Sequence, residues 1–153
     1  MTEKPKYVAG YTTDKGLLLD LDRTTFQETL TIAKRLLKQH KLEGYLITQS
    51  SPLSHHIIFN KPLRWKTVIS HLFKLVWRYH YYEHQRLSGL THWAILQVCK
   101  KSCTLRVSGK NQKASPRLLM HYGKQDKIIK DYLEVYYTFN TKKLHNKAYE
   151  IFK

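Results

Sequence analysis

Two aspartates, Asp20 and Asp22, close a run of leucines in the stretch GLLLDLDRTT. Side chains alternate between the faces of a β-strand, so both carboxylates are expected on one face, with Leu19 and Leu21 on the other. Carboxylates at this spacing can ligate one or two divalent cations, and oxygen ligands suit Mg²⁺ or Mn²⁺. Such ions offset phosphate charge and activate the attacking oxygen of a phosphodiester displacement. Asp20 and Asp22 are therefore the candidate metal ligands.

A serine and two histidines begin a second hydrophobic stretch, SSPLSHHIIF. Ser54 and His56 stand two residues apart and share a face if this segment is a strand, whereas His55 points to the opposite face. An imidazole titrates near neutral pH and can transfer a proton or bind a phosphate. If this strand lies beside the acidic one, His56 joins Asp20 and Asp22 as a candidate catalytic residue.

The elements that position these residues predict an α+β fold. Thr25 and Glu28 form a capping box that begins the first helix, and Pro62 precedes a second, longer helix. The order strand, helix, strand, strand, helix, strand is that of the ferredoxin-like (RRM-like or palm-like) βαββαβ arrangement. It predicts an antiparallel sheet with both helices on one face and the first and third strands side by side at its centre. The predicted strands of this unit are residues 17–22, 45–49, 55–59 and 92–99.

We expect one domain over residues 1–153, because the chain is long enough to bury a core without disulfides. The ferredoxin-like core covers about residues 11–112. A C-terminal extension over 113–153 adds the strand RLLMHYG, which follows the strand CTLRVSGK after a basic turn, and a last helix from about 126 to 139.

The charge of the chain favours a polyanionic partner. Its 27 Lys and Arg against 11 Asp and Glu give a formal net charge of +16, and its 11 tyrosines and 3 tryptophans are mixed among the cations. Cationic side chains bind phosphates, and aromatic side chains stack on unpaired bases. Nucleic acid is therefore the expected partner, with DNA favoured over RNA. No long apolar run or secretory signal occurs, which predicts an intracellular, cytoplasmic protein with no membrane partner. The cations expected to follow a nucleic-acid backbone are Arg64, Lys66, Arg78, Lys100, Lys101, Arg106, Lys110 and Lys113.

Three motifs together resemble the archaeo-eukaryotic primase and primase-polymerase superfamily: LLLDLD, then SHH before a hydrophobic strand, then TLRVSGK. The resemblance covers about residues 11–112 and extends to the order of strands and helices. It implies metal-dependent nucleotidyl transfer, with Asp20 and Asp22 as metal ligands and His56 at the phosphates of an incoming nucleotide. It also implies that Arg106 lies near the template or the triphosphate.

The chain departs from that family at the third acidic motif, because residues 92–103 contain neither Asp nor Glu. Glu83, in the stretch WRYHYYEHQR, and Asp14 are the acids that remain to complete a metal site. Two alternatives therefore stay open beside nucleotidyl transfer. One is a metal-dependent DNA nuclease that uses the same acidic pair, since hydrolysis needs no nucleotide pocket. The other is a catalytically inactive, replication-associated DNA-binding module.

Overall fold

The protein is an α+β protein whose described residues form antiparallel sheets and four helices. The computed structural model describes residues 8–81, 88–110 and 113–140. None of the helices among these residues is both long and apolar enough to cross a bilayer. The elements in chain order are β1 (Gly10–Thr13), β2 (Leu18–Asp22), α1 (Phe26–Gln39), β3 (Gly44–Ser51), β4 (Ser54–Phe59), α2 (Trp65–Tyr81), α3 (Ser88–Lys100), β5 (Cys103–Arg106), β6 (Arg117–Gly123) and α4 (Ile128–Thr138).

Four strands form the main sheet in the spatial order β2-β4-β3-β6, and every neighbouring pair is antiparallel. The predicted pairing of the first and third strands of the ferredoxin-like unit, here β2 and β4, is confirmed. The predicted central position of the acidic strand is wrong, because β2 is at an edge of this sheet. β1 and β5 form a separate two-stranded sheet.

Helix α1 covers the sheet face opposite the acids. Thr25 caps it: the Thr25 hydroxyl accepts from the Glu28 backbone N–H at 3.1 Å, and the Glu28 carboxylate accepts from the Thr25 N–H at 3.3 Å. The predicted capping box is thus confirmed. The Phe26 ring lies beside that of His55, which is fully buried. The packed face of α1 includes Ile32, Ala33 and Leu36, all buried.

The predicted fourth strand, residues 92–99, is wrong, because this segment lies within α3. The buried positions Leu90, Ala94 and Gln97 recur at helical spacing, whereas Ile95 and Leu96 are exposed. Gln97 ties the helix to the chain that follows it: its side-chain carbonyl accepts from the Thr104 backbone N–H at 2.9 Å. The apolar residues that suggested a buried strand are therefore partly surface residues of a helix.

Helix α4 packs on the same sheet face as the acids. Its fully buried Tyr132 contacts the Thr48 side chain, and Thr48 pairs across the sheet with His56. Asn60, at the end of β4, holds the start of α4 by accepting from the Lys127 backbone N–H at 2.9 Å. The face predicted to be open is therefore covered in part by the C-terminal helix.

Candidate functional site

The acidic pair and the serine-histidine pair face each other on adjacent strands. In the β2–β4 register, Asp20 is opposite His56 and Asp22 is opposite Ser54. His56 Nε2 lies 3.5 Å from Asp20 Oδ1, and the Ser54 hydroxyl donates to Asp22 Oδ1 at 2.9 Å. All four side chains share one sheet face, while His55 lies on the other. The alternation predicted from the sequence thus brings these four residues together.

The two acids differ in exposure. Asp22 is exposed, whereas the Asp20 side chain is only 31% exposed. Burial, and then the charge of Asp22, raise the pKa of Asp20 to about 7, against the opposing effect of nearby cations. The carboxyl group of Asp20 therefore changes between its protonated and ionised forms near neutral pH. A bound cation would favour the ionised form.

His56 is buried and is kept neutral. Burial, followed by the positive charge of Arg106 and the neighbouring His55, lowers the pKa of His56 to about 3. The contact with Asp20 is consequently not an ion pair at neutral pH. His56 Nδ1 is buried and has no hydrogen-bond partner. The imidazole is better placed to position Asp20 than to meet a ligand from solvent.

Two cations bring positive charge to the acids. Arg106 and Lys113 both oppose the rise in the pKa of Asp20, so their charges act on that carboxylate. Arg106 is at the end of β5, and its guanidinium donates to the backbone carbonyls of Ser108 and, at 3.0 Å, Ala114. These bonds fix its orientation. The two cations can offset the charge of a phosphate bound at the acids.

The N-terminal part of α3 borders the exposed acid. A Cβ atom added at Gly89 would lie 3.4 Å from Asp22 Oδ2, so the helix backbone passes close to this carboxylate. Sequence reasoning missed this neighbour because it placed a strand in the region. The spacing of Leu90, Ala94 and Gln97 was the signal that could have revealed it.

The acids do not form a complete protein cage for a metal ion. Among the described residues, no group of three or more His, Cys, Asp and Glu side chains could hold one. Mg²⁺ in nucleotide-handling sites is commonly held by one or two carboxylates together with substrate phosphates and water. Asp20 and Asp22 fit that smaller role. Glu83, the predicted further acid, lies outside the described residues, and Asp14 lines a different cleft with Lys15 and Arg64.

The other predicted nucleic-acid-binding residues are spread over the molecule. Arg64 and Lys66 lie at the start of α2, beyond the Phe59 end of β4 and so away from the acids. Arg78 lines a cleft between α1 and α2.

Lys100 and Lys101 lie at the turn between α3 and β5, where the Lys100 ammonium donates to the Thr104 hydroxyl at 3.0 Å. Lys110 pairs through its backbone with Lys113. Of this set, Arg106 and Lys113 are the two whose charges oppose the rise in the pKa of Asp20.

No protein-family model matches the chain, and no curated protein or solved structure matches it either. The function must therefore be inferred from the chemistry of the site itself.

Proposed function

We propose that the protein binds nucleic acid, with DNA favoured over RNA, and carries out metal-dependent nucleotidyl transfer at Asp20 and Asp22. The observation that carries this proposal is the register of β2 against β4, which brings both acids to one face beside His56 and Ser54. The nearby charges of Arg106 and Lys113 support it, because a nucleotide or a phosphodiester is a polyanion.

Each residue has a distinct proposed role. Asp20 and Asp22 would hold Mg²⁺ or Mn²⁺, which would supply charge stabilisation for the displacement. Arg106 and Lys113 bind phosphate oxygens. His56 is proposed to position Asp20, since its Nε2 faces that carboxylate from a buried site. This differs from the direct phosphate contact that the primase resemblance implies for His56.

The fold we infer is a modified ferredoxin-like palm. The order β2-β4-β3 is the one that this arrangement gives to its first three strands, and α1 and α2 occupy the expected places along the chain. β5 is the candidate for the fourth strand, because the Cys103 side chain contacts the backbone of Leu18 in β2. Helix α3 is then an insertion before that strand.

The proposal includes an intracellular, cytoplasmic location, where nucleic acid and nucleotides are found.

The test is an assay of the whole protein with labelled single- and double-stranded DNA, Mg²⁺ or Mn²⁺, and with or without nucleoside triphosphates. Primer extension that requires nucleotides is the expected result. Asp20→Asn and Asp22→Asn should each reduce the rate by roughly 100-fold or more, because the metal contributes several kcal/mol to the transition state. Asp131→Asn, an exposed acid on α4, is the matched control and should leave the rate unchanged.

The two alternatives give different outcomes in the same assay. Cleavage without nucleotides, abolished by the same two variants, would replace nucleotidyl transfer with a nuclease activity. Binding without extension or cleavage under either metal would leave a DNA-binding module, and the catalytic proposal would be wrong. Chemistry that survives Asp20→Asn and Asp22→Asn would remove the acids from the site altogether.

A further inference from the structure

A cationic cleft lies between α1 and α2, on the sheet side opposite the acids. It encloses about 430 Å³. Its polar and aromatic lining comes from Arg35 and Gln39 of α1, from His40 directly after that helix, and from Lys74, Trp77 and Arg78 of α2. Among the residues that the structure describes, no acidic side chain lines it. The cleft therefore offers three cations and an indole ring to a ligand.

Lys74 acts on two stacked imidazoles, one of which, His40, lines the cleft. The His40 and His71 rings are stacked with centroids 3.6 Å apart, and His40 Nε2 and His71 Nδ1 are buried without a hydrogen-bond partner. Burial, and then Lys74, lower the pKa of His40. Burial, His40, Lys74 and Lys61 lower the pKa of His71 to about 4. Burial is the largest cause of both shifts, and the charge of Lys74, which lines the cleft, contributes to both. An anion bound in the cleft would offset that charge.

Aromatic surface adjoins the cations. The Trp77 ring is 47% exposed and the Phe73 ring 65% exposed, with centroids 6.1 Å apart and planes 27° from parallel. Arg35 is held at the cleft because its guanidinium donates to the Tyr79 hydroxyl at 3.0 Å. An aromatic face next to a row of cations suits an unpaired base joined to its backbone phosphates.

We propose that this cleft binds single-stranded nucleic acid, with phosphates at Arg35, Lys74 and Arg78 and a base stacked on Trp77. The inference shares with the proposed function the choice of nucleic acid as partner, but it needs neither the metal nor the acids. An acidic peptide could meet the same cations, but the exposed indole beside them favours a strand with bases.

The test is the affinity of the whole protein for a fluorescent oligothymidylate, measured by anisotropy in EDTA at low salt. Trp77→Ala should weaken binding by roughly 5- to 100-fold, the range for loss of one stacked base, and Trp77→Phe should restore part of the affinity. Lys74→Glu should weaken binding and make it less salt-dependent. Lys130→Glu, an exposed lysine on α4, is the control of equal charge. Circular dichroism checks that each variant is folded.

The outcomes separate this inference from the catalytic one. Asp20→Asn and Asp22→Asn should keep the oligothymidylate affinity of the unmodified chain even if they abolish chemistry. Equal losses in Lys74→Glu and Lys130→Glu, or unchanged binding in Trp77→Ala, would overturn the cleft proposal. Competition by polyglutamate as effective as that by unlabelled oligothymidylate would assign the cleft to an acidic protein instead.

Discussion

Asp20 and His56 face each other across the β2–β4 pairing, with Oδ1 and Nε2 3.5 Å apart, and their pKa values are shifted in opposite directions. The carboxyl group holds its proton up to about pH 7, whereas the imidazole stays neutral down to about pH 3. Between these values both groups are uncharged. As the pH rises through neutrality, Asp20 loses its proton and becomes negatively charged, while His56 stays neutral. The affinity of the site for a metal ion should therefore increase over this range.

Asp20→Asn should stabilise the protein at pH 8 but not at pH 3. The unfolded carboxyl loses its proton near pH 3.8, while the folded one keeps it up to about pH 7, so the native state loses stability as pH rises between these values. Because Asp20 is partly exposed, solvent screening reduces the effect, and the substitution should raise the free energy of unfolding by about 1–2 kcal/mol at pH 8. Urea denaturation at both pH values measures it, with Asp131→Asn as control. A gain of equal size at pH 3 would contradict the raised pKa.

His56 should remain neutral in the folded protein at pH 4.5. The unfolded imidazole takes up a proton below about pH 6.5 and the folded one only near pH 3, so stability falls as pH drops through this window. The loss between pH 7 and pH 4.5 that is due to His56 should be about 2 kcal/mol. ¹⁵N NMR of the imidazole measures the protonation state directly. An imidazole that titrates near pH 6.5 would show that His56 is solvated rather than buried.

Mn²⁺ binding in the presence of a nucleoside triphosphate should strengthen from pH 6 to pH 8. Asp20 must release its proton to act as a ligand, so the apparent affinity should fall by up to about tenfold per pH unit below its pKa. Electron paramagnetic resonance of free Mn²⁺ measures the affinity. Asp20→Asn should weaken Mn²⁺ binding. It should also leave only the pH dependence that the nucleotide shows in the absence of protein. An unchanged dependence in this variant would exclude Asp20 as a ligand.

Asn60→Ala should destabilise the protein by about 2–3 kcal/mol, because it leaves backbone N–H groups at the start of α4 without their hydrogen-bond acceptor. The Asn60 amide donates to Asp126 at 3.0 Å, and its carbonyl accepts from the N–H groups of Lys127 at 2.9 Å and Ile129 at 3.3 Å. Chemical denaturation gives the free energy of unfolding. Thr138→Ala, at the exposed end of α4, is a control expected to have a much smaller effect. Equal losses in the two variants would refute a specific role for Asn60.

Local patterns in the sequence correctly predicted the capping box and the side chains that share a sheet face with Asp20 and Asp22. Thr25 and Glu28 carry a capping signal that acts within four residues, and it holds in the structure. The alternation of Asp20 and Asp22 with leucines, and of His56 with His55, required only that both segments be strands. These features depend on backbone periodicity, which a single segment determines by itself.

Tertiary relationships could not be predicted in the same way. The segment around Trp93 and Val98 contains enough apolar residues for a buried strand. The helical spacing of Leu90, Ala94 and Gln97 indicated the alternative only weakly, because the polar Gln97 is buried and the apolar Ile95 is exposed. The effect of the Lys113 charge on the pKa of Asp20 depends on the path of the chain after β5. The packing of Tyr132 over Thr48 depends on how α4 returns to the sheet. Such long-range choices are set by the whole core rather than by any one element.

The partial cover that α4 gives to the acidic face has a steric consequence for any substrate. Tyr132 is buried over Thr48, and His56 is buried beside them. Solvent exposure of the side chains then increases from His56 through Asp20, which is partly exposed, to Asp22, which is exposed. The phosphodiester of the proposed reaction is therefore expected to approach laterally from the Asp22 side, where the acidic pair is most exposed. Such a lateral entrance admits a strand terminus or a flipped-out linkage more readily than the middle of a rigid double helix.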